Sequence, residues 1–167
     1  MSIHPIESSE LPVNPLDLME EIVSSNEWPF DRSSDCELVV EFSGQWCDYH
    51  LYFGWAEEIS VMQFSCGYDM KVPEAKTAEV RTLLSLVNER LWVGHFGLGF
   101  ESRLLSFRHG MLLRGMCGIS VEQLEDLVDI ALSEAERYYP AFQLVIWSGC
   151  TPLQAIDNAL LVTVGEA

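Results

Sequence analysis

His50, His95 and His109, Cys150, and the acids Glu122, Glu125, Asp126 and Asp129 are the side chains of this chain best suited to chemistry near neutral pH. Histidine exchanges protons there and ligates metals through either ring nitrogen. General-base or metal work also requires a second group at ligand or hydrogen-bond spacing, and no such partner accompanies these histidines in sequence. Strand parity places His50 opposite Glu37 on the solvent side of a sheet and His95 opposite Arg108, while His109 points to the other face, so the three are not expected to converge. A structural or hydrogen-bonding role is favoured. Cys150 just precedes a capped terminal helix, whose positive end lowers a thiol pKa, but a nucleophile also needs a base and the sequence names none. The acid run recurs at helical spacing near a helix start, where a solvated face explains it more simply than a cation. No catalytic, cofactor-binding or metal-binding residue is assigned, and the chain is not read as an enzyme.

Association is the better use for what remains. Trp46 shares the outward parity of Asp48 and Tyr52, which singles it out as exposed, and Trp147 closes the apolar run Ala141 to Trp147, which requires a partner. With His95 and Arg108 these two form the candidate interaction set. The five cysteines, at 36, 47, 66, 117 and 150, have no CxxC pair or zinc spacing and read as reduced thiols, with Cys36, Cys47 and Cys66 at inward strand positions.

The net charge of −17 is uneven: residues 1–69 carry −13, residues 70–115 carry +3 and residues 116–167 carry −7. Nucleic-acid binding needs a cationic surface to displace counterions, so no nucleic-acid partner is expected. Nowhere do about 18 apolar residues run uninterrupted, and the first residues lack the pattern of a secretory leader. The expectation is a cytoplasmic protein with no membrane partner.

At 167 residues with 49% hydrophobic content the chain suits one domain, residues 14–167, behind a flexible N-terminal tail at 1–13. Asn14, Pro15 and Asp17 cap a first helix with Leu16, Met19 and Val23 inward, and Asn26 and Pro29 end it. Strands follow at Cys36 to Phe42, Cys47 to Trp55 and a third around Met62 and Phe64. A two-residue turn at Ser43 and Gly44 pairs Val40 with Cys47, and a turn at Glu57 and Glu58 pairs Phe53 with Met62. The second helix is read at Val72 to Leu91, and a hairpin across Glu101 and Ser102 pairs Phe96 with Phe107 and Leu98 with Leu105. Gly94, Gly97 and Gly99 in that hairpin mark a bulge or a close backbone approach. Ser120 with Gln123 opens a third helix that Pro140 should kink or interrupt, and Thr151 with Gln154 opens a short terminal helix to about Leu161. The class is α+β, an antiparallel sheet with helices on one face in the order αβββαββαα.

The run Asn88, Glu89, Arg90, Leu91, Trp92, Val93, Gly94, His95, Phe96, followed by Phe107, Arg108, His109, resembles the central pattern of the YbjN family of bacterial sensory transduction regulators. The closing Gly165, Glu166, Ala167 and the aromatic third helix look like its alphaproteobacterial members. That family is similar in fold to the class I type III secretion chaperones, acidic homodimers that hold an unfolded segment of a partner. The resemblance therefore implies a chaperone-like or regulatory homodimer with a protein partner and no cofactor. It transfers no catalytic residue, and it makes Asn88, Gly94, Arg108 and His109 marks of structure. The alternative is a small-ligand sensor with a pocket between helix and sheet, where Arg108 or His95 meets an anion.

Overall fold

The computed structural model describes residues 12–165. Most of the expected tail lies outside the described residues. Of its two described residues, Pro12 is buried, and the Val13 N–H donates to the Cys117 carbonyl at 3.3 Å.

Helix α1 (Pro15–Ser25) is capped by the Asn14 side chain, whose Oδ1 accepts from Leu16 N–H at 3.0 Å. The same amide donates to the Asp35 carbonyl at 2.8 Å, tying the helix start to the first strand turn. Next comes an unexpected strand, β1 (Phe30–Ser34). Its residues FDRSS lack alternation, and their pairing is tertiary. Phe30 and Asp31 pair with Val40 and Val39, and Arg32 bonds Asp17 at 2.7 Å and Glu20 at 2.6 Å on α1.

Strands β2 (Glu37–Ser43), β3 (Asp48–Ala56) and β4 (Val61–Lys71) form a meander with the expected faces but a corrected register. Val40 pairs with Leu51 rather than Cys47, because Gly44 to Cys47 make a longer connection than the two-residue turn. That connection reaches α3, where Gln45 N–H donates to the Glu136 carboxylate at 2.7 Å. Phe53 pairs with Phe64 rather than Met62, because a short 3-10 turn at Glu57–Ile59 and a left-handed Ser60 (φ 51°) take the chain around. Both slips are even-numbered, so every apolar side chain keeps its side.

Helix α2 (Thr77–Asn88) is shorter than the expected Val72 to Leu91, since Val72 is buried beside the end of β4 and a 3-10 turn at Glu74–Lys76 intervenes. Its stripe Val80, Leu83, Leu84 and Val87 is buried as expected. Strands β5 (His95–Leu98) and β6 (Leu104–Leu112) pair in the expected register, Phe96 with Phe107 and Leu98 with Leu105. The close approach is at Gly94, with φ 68°, where an added Cβ would collide with the Phe107 ring.

Helix α3 (Val121–Trp147) carries the Ser120–Gln123 capping box and is not interrupted by Pro140. Tyr138, Tyr139, Ala141 and Phe142 are buried on both sides of the proline, so packing holds a helix that local propensity would break. Thr151 and Gln154 exchange cap bonds at the start of α4 (Pro152–Gly165), which extends beyond the expected Leu161 and packs on α2 and α3. The run Ala141 to Ile146 thus finds partners inside the chain, and only Trp147, 59% exposed, remains outside.

The element order is αββββαββαα, and the six strands lie in the order β1-β2-β3-β4-β6-β5, all antiparallel. Contacts from α1 to β2 and β3, from α3 to β4 and from α2 to β5 cover one face of the sheet. An aromatic cluster of Tyr68, Phe96, Phe107, Tyr138 and Phe142 joins the layers, and Tyr68 donates to the Ala135 carbonyl of α3 at 2.7 Å. Among the described residues no helix is long and apolar enough to cross a membrane.

Candidate functional site

Alternation along each strand sends half of the side chains to the face that no helix covers. The pairing arranges them in rows across the strands. One row reads Asp31, Val39, Tyr52, Ser65, Arg108, His95; the row beside it includes Glu41, His50, Gly67, Ser106 and Gly97. Gly67, Ser106 and Gly97 leave the second row without bulk on β4, β6 and β5, and a groove of about 660 Å³ opens over it.

His95 and Arg108 face each other across β5 and β6 on this open side, as expected. Their candidate partners lie elsewhere. Trp46 was placed outward by strand parity, but it belongs to the β2–β3 connection, which folds toward the helices. There it stacks on Tyr139 with ring centroids 6.0 Å apart and stays 44% exposed. Trp147 stands at the far end of α3. The four candidates therefore divide between two surfaces.

His50 lies opposite Glu41 rather than Glu37, following the register correction. The histidines stay apart as expected: His50 on β3 and His95 on β5 share the open face with two strands between them, and His109 takes the opposite parity on β6. They do not form a metal centre: no group of three or more His, Cys, Asp or Glu side chains among the described residues is placed to hold an ion. His109 is half-buried on the covered side of β6, and its pKa is lowered by desolvation and then by the nearby His95. Tyr52 donates to Glu37 at 3.0 Å, and its phenol pKa is raised by burial and by that bond.

Arg108 is exposed, and among the described residues its guanidinium meets no hydrogen-bond or ion-pair partner. Arg32, Lys76, Arg103 and Arg137, by contrast, each meet a carboxylate. The open face is also polarised. Its β1–β3 half carries Asp31, Glu37, Glu41 and Asp48, whereas Arg108, His95 and Lys71 lie on the β4–β6–β5 half beside Asp69.

The cysteines behave less uniformly than expected. Only Cys66 is a core residue, its thiol pushed up to about 12 by burial; Cys36 is exposed in the β1–β2 turn and Cys47 is half-buried in the β2–β3 connection. Cys150 is half-buried before α4. Glu122, Glu125, Asp126 and Asp129 are exposed along α3, the solvated face expected.

The resemblance marks Asn88 as structural, and the geometry shows how, which the sequence alone does not. Its side-chain amide donates to the Phe96 carbonyl at 3.0 Å and accepts from the Phe96 N–H at 2.7 Å. It occupies the outer edge of β5 as a neighbouring strand would, blocking that edge to further pairing. Asn at the end of a helical stripe reads only as a helix stop, so no local signal marks this role.

These features define a two-layer α+β protein with a helix-covered face and a polar, open face on one antiparallel sheet. The chain belongs to the YbjN family, described as "Putative bacterial sensory transduction regulator", whose model matches residues 15–144. Among solved structures it is similar to that of YbjN from E. coli, titled a "putative transcription regulator", at a TM-score of 0.52 and 14% identity, covering 82% of this chain and 92% of that one. That likeness shows the fold. No curated protein matches the chain.

Proposed function

We propose that this chain is a non-catalytic regulatory module that works as a homodimer in the cytoplasm and holds a segment of another protein, as a chaperone does. The observation that carries this reading is the division of the molecule into two unequal surfaces, each fit for association. The open sheet face presents a groove of mixed lining, in which His50, His95, Ser65, Ser106 and Arg108 stand among apolar groups such as Tyr52, Leu98 and Leu104. The helix side presents exposed apolar groups on α3 and α4, among them Trp147, Leu153 at 64% and Leu161 at 70% exposed. Family membership supports a regulatory role, and the net charge of −17 resembles the acidic chaperones to which the family is similar.

Light scattering tests the oligomeric half: a mass twice the 18.9 kDa of one chain at micromolar concentration is expected, and a monomer would count against it. For the partner half, a bound segment should shift the emission of Trp147 to the blue, and Trp147→Phe should remove that shift.

The second reading, a small-ligand sensor, is favoured by the unpaired Arg108 at the groove. Its location differs from the expected pocket between helix and sheet, since this groove lies on the opposite side of the strands. Stabilisation of the melt by small dicarboxylates or phosphate, lost in Arg108→Gln, is the outcome that would prefer it.

A further inference from the structure

The open face is complementary to itself. Consider a two-fold axis parallel to the strands, lying above the boundary between β3 and β4. Rotation about it carries β5 over β1, β6 over β2 and β4 over β3 of the other copy, because the sheet order is β1-β2-β3-β4-β6-β5. Three features of the face then match.

Along the centre, directly paired residues of β3 and β4 differ in size in three successive rows: His50 with Gly67, Tyr52 with Ser65, and Gln63 with Gly54. The rotation sets each large side chain above the small one of the other copy. Charge follows the same pattern. Arg108 of one copy comes over Val39 of the other, between the outward carboxylates of Glu37 and Glu41, and His95 comes over Asp31. Arg108, Glu41 and Asp31 meet no side-chain partner among the described residues, so the pairing breaks no bond of theirs seen there. Finally, the area is sufficient. Six strands at ~4.8 Å spacing and about seven residues of length give a face of roughly 24 by 23 Å, so two copies bury about 1,100 Å². A specific interface needs about 1,000 Å².

We propose that a second copy of this chain covers the open sheet face, in a two-fold dimer where Arg108 of each copy lies between Glu37 and Glu41 of the other. This inference rests on the homodimer reading above and adds its surface and symmetry. Because the pairing seats His50 and Tyr52 over Gly67 and Ser65, it closes the groove and leaves the helix side with Trp147 as the surface for a partner.

The test is a charge-reversal cycle read by sedimentation equilibrium on the full chain, with circular dichroism to check that each exposed-site variant is folded. Arg108→Glu and Glu41→Arg are each expected to weaken the dimer on the order of 100-fold, since each change acts twice in a two-fold interface. The double variant should regain most of the wild-type affinity. Gly67→Trp should abolish pairing by filling the space above the floor. A wild-type dimer that survives all of these changes overturns the inference and leaves the homodimer reading standing. A monomeric wild type at every concentration overturns both. Loss of the dimer in both single variants without recovery in the double variant also overturns the proposed contact.

Discussion

The two faces of the sheet are built from the same strands and obey opposite rules. On the covered face Leu51, Phe53, Phe64, Cys66 and Phe107 are at most 2% exposed and belong to one continuous core. On the open face their immediate neighbours Tyr52, Ser65, Gly67 and Arg108 contribute little to that core. Stability should therefore be concentrated on one side and association on the other, and substitutions one residue apart along β4 or β6 should separate the two properties.

The largest effect is expected on the covered side. Leu84→Asp places a carboxylate among α2 residues that are 7% exposed or less and should cost several kcal/mol, enough to unfold a domain of ordinary stability. A native-like melting temperature would break the assignment of α2 to the core.

Gly94→Ala comes next. It forces a left-handed φ of 68° on a residue with a Cβ and drives that carbon into the Phe107 ring and the Arg108 carbonyl, a strain of about 1–3 kcal/mol before the ring shifts. The melt should fall accordingly, and a neutral result would mean that β5 can move away from β6.

Asn88→Ala should cost about 1–3 kcal/mol, since it strips both backbone partners from Phe96. It should also speed amide exchange at Phe96 and open the β5 edge to aggregation, whereas Asn88→Asp should recover only the acceptor half.

A smaller effect concerns pH. His109 has a folded pKa lowered by burial, so the unfolded chain binds the extra proton first as pH falls. Its contribution is full above the unfolded value near 6.5 and is lost as pH drops toward the lower folded value. His109→Asn should flatten the stability profile on that acidic side of neutrality, measured by melts in a buffer series. The smallest effect on stability is expected from Arg108→Glu, whose guanidinium has no partner to lose among the described residues.

This contrast also explains what the sequence could and could not disclose. Alternation of apolar residues fixes a face, so the covered side was legible down to the Phe96–Phe107 register. Register across a longer connection was not, because the β2–β3 loop is set by contacts with Glu136 and Tyr139, more than 90 positions away. β1 was invisible for the same reason: its polar residues are held by Val39, Val40, Asp17 and Glu20 rather than by their own preferences. Pro140 misled in the opposite direction, as core packing overrides its local tendency to break α3. The pair His95 and Arg108 was legible from parity. The small-residue floor beneath them requires the β4–β6 pairing, which no single segment encodes.

The central claim is that the open face is the associating one, and histidine labelling tests it most directly. His50 and His95 sit on that face, and their modification by diethylpyrocarbonate can be followed by mass spectrometry from nanomolar to micromolar protein. Both should become slower to label together as concentration rises, with Arg108→Glu staying reactive throughout. Reactivity that is independent of concentration while light scattering reports a dimer would place the interface elsewhere and contradict the claim.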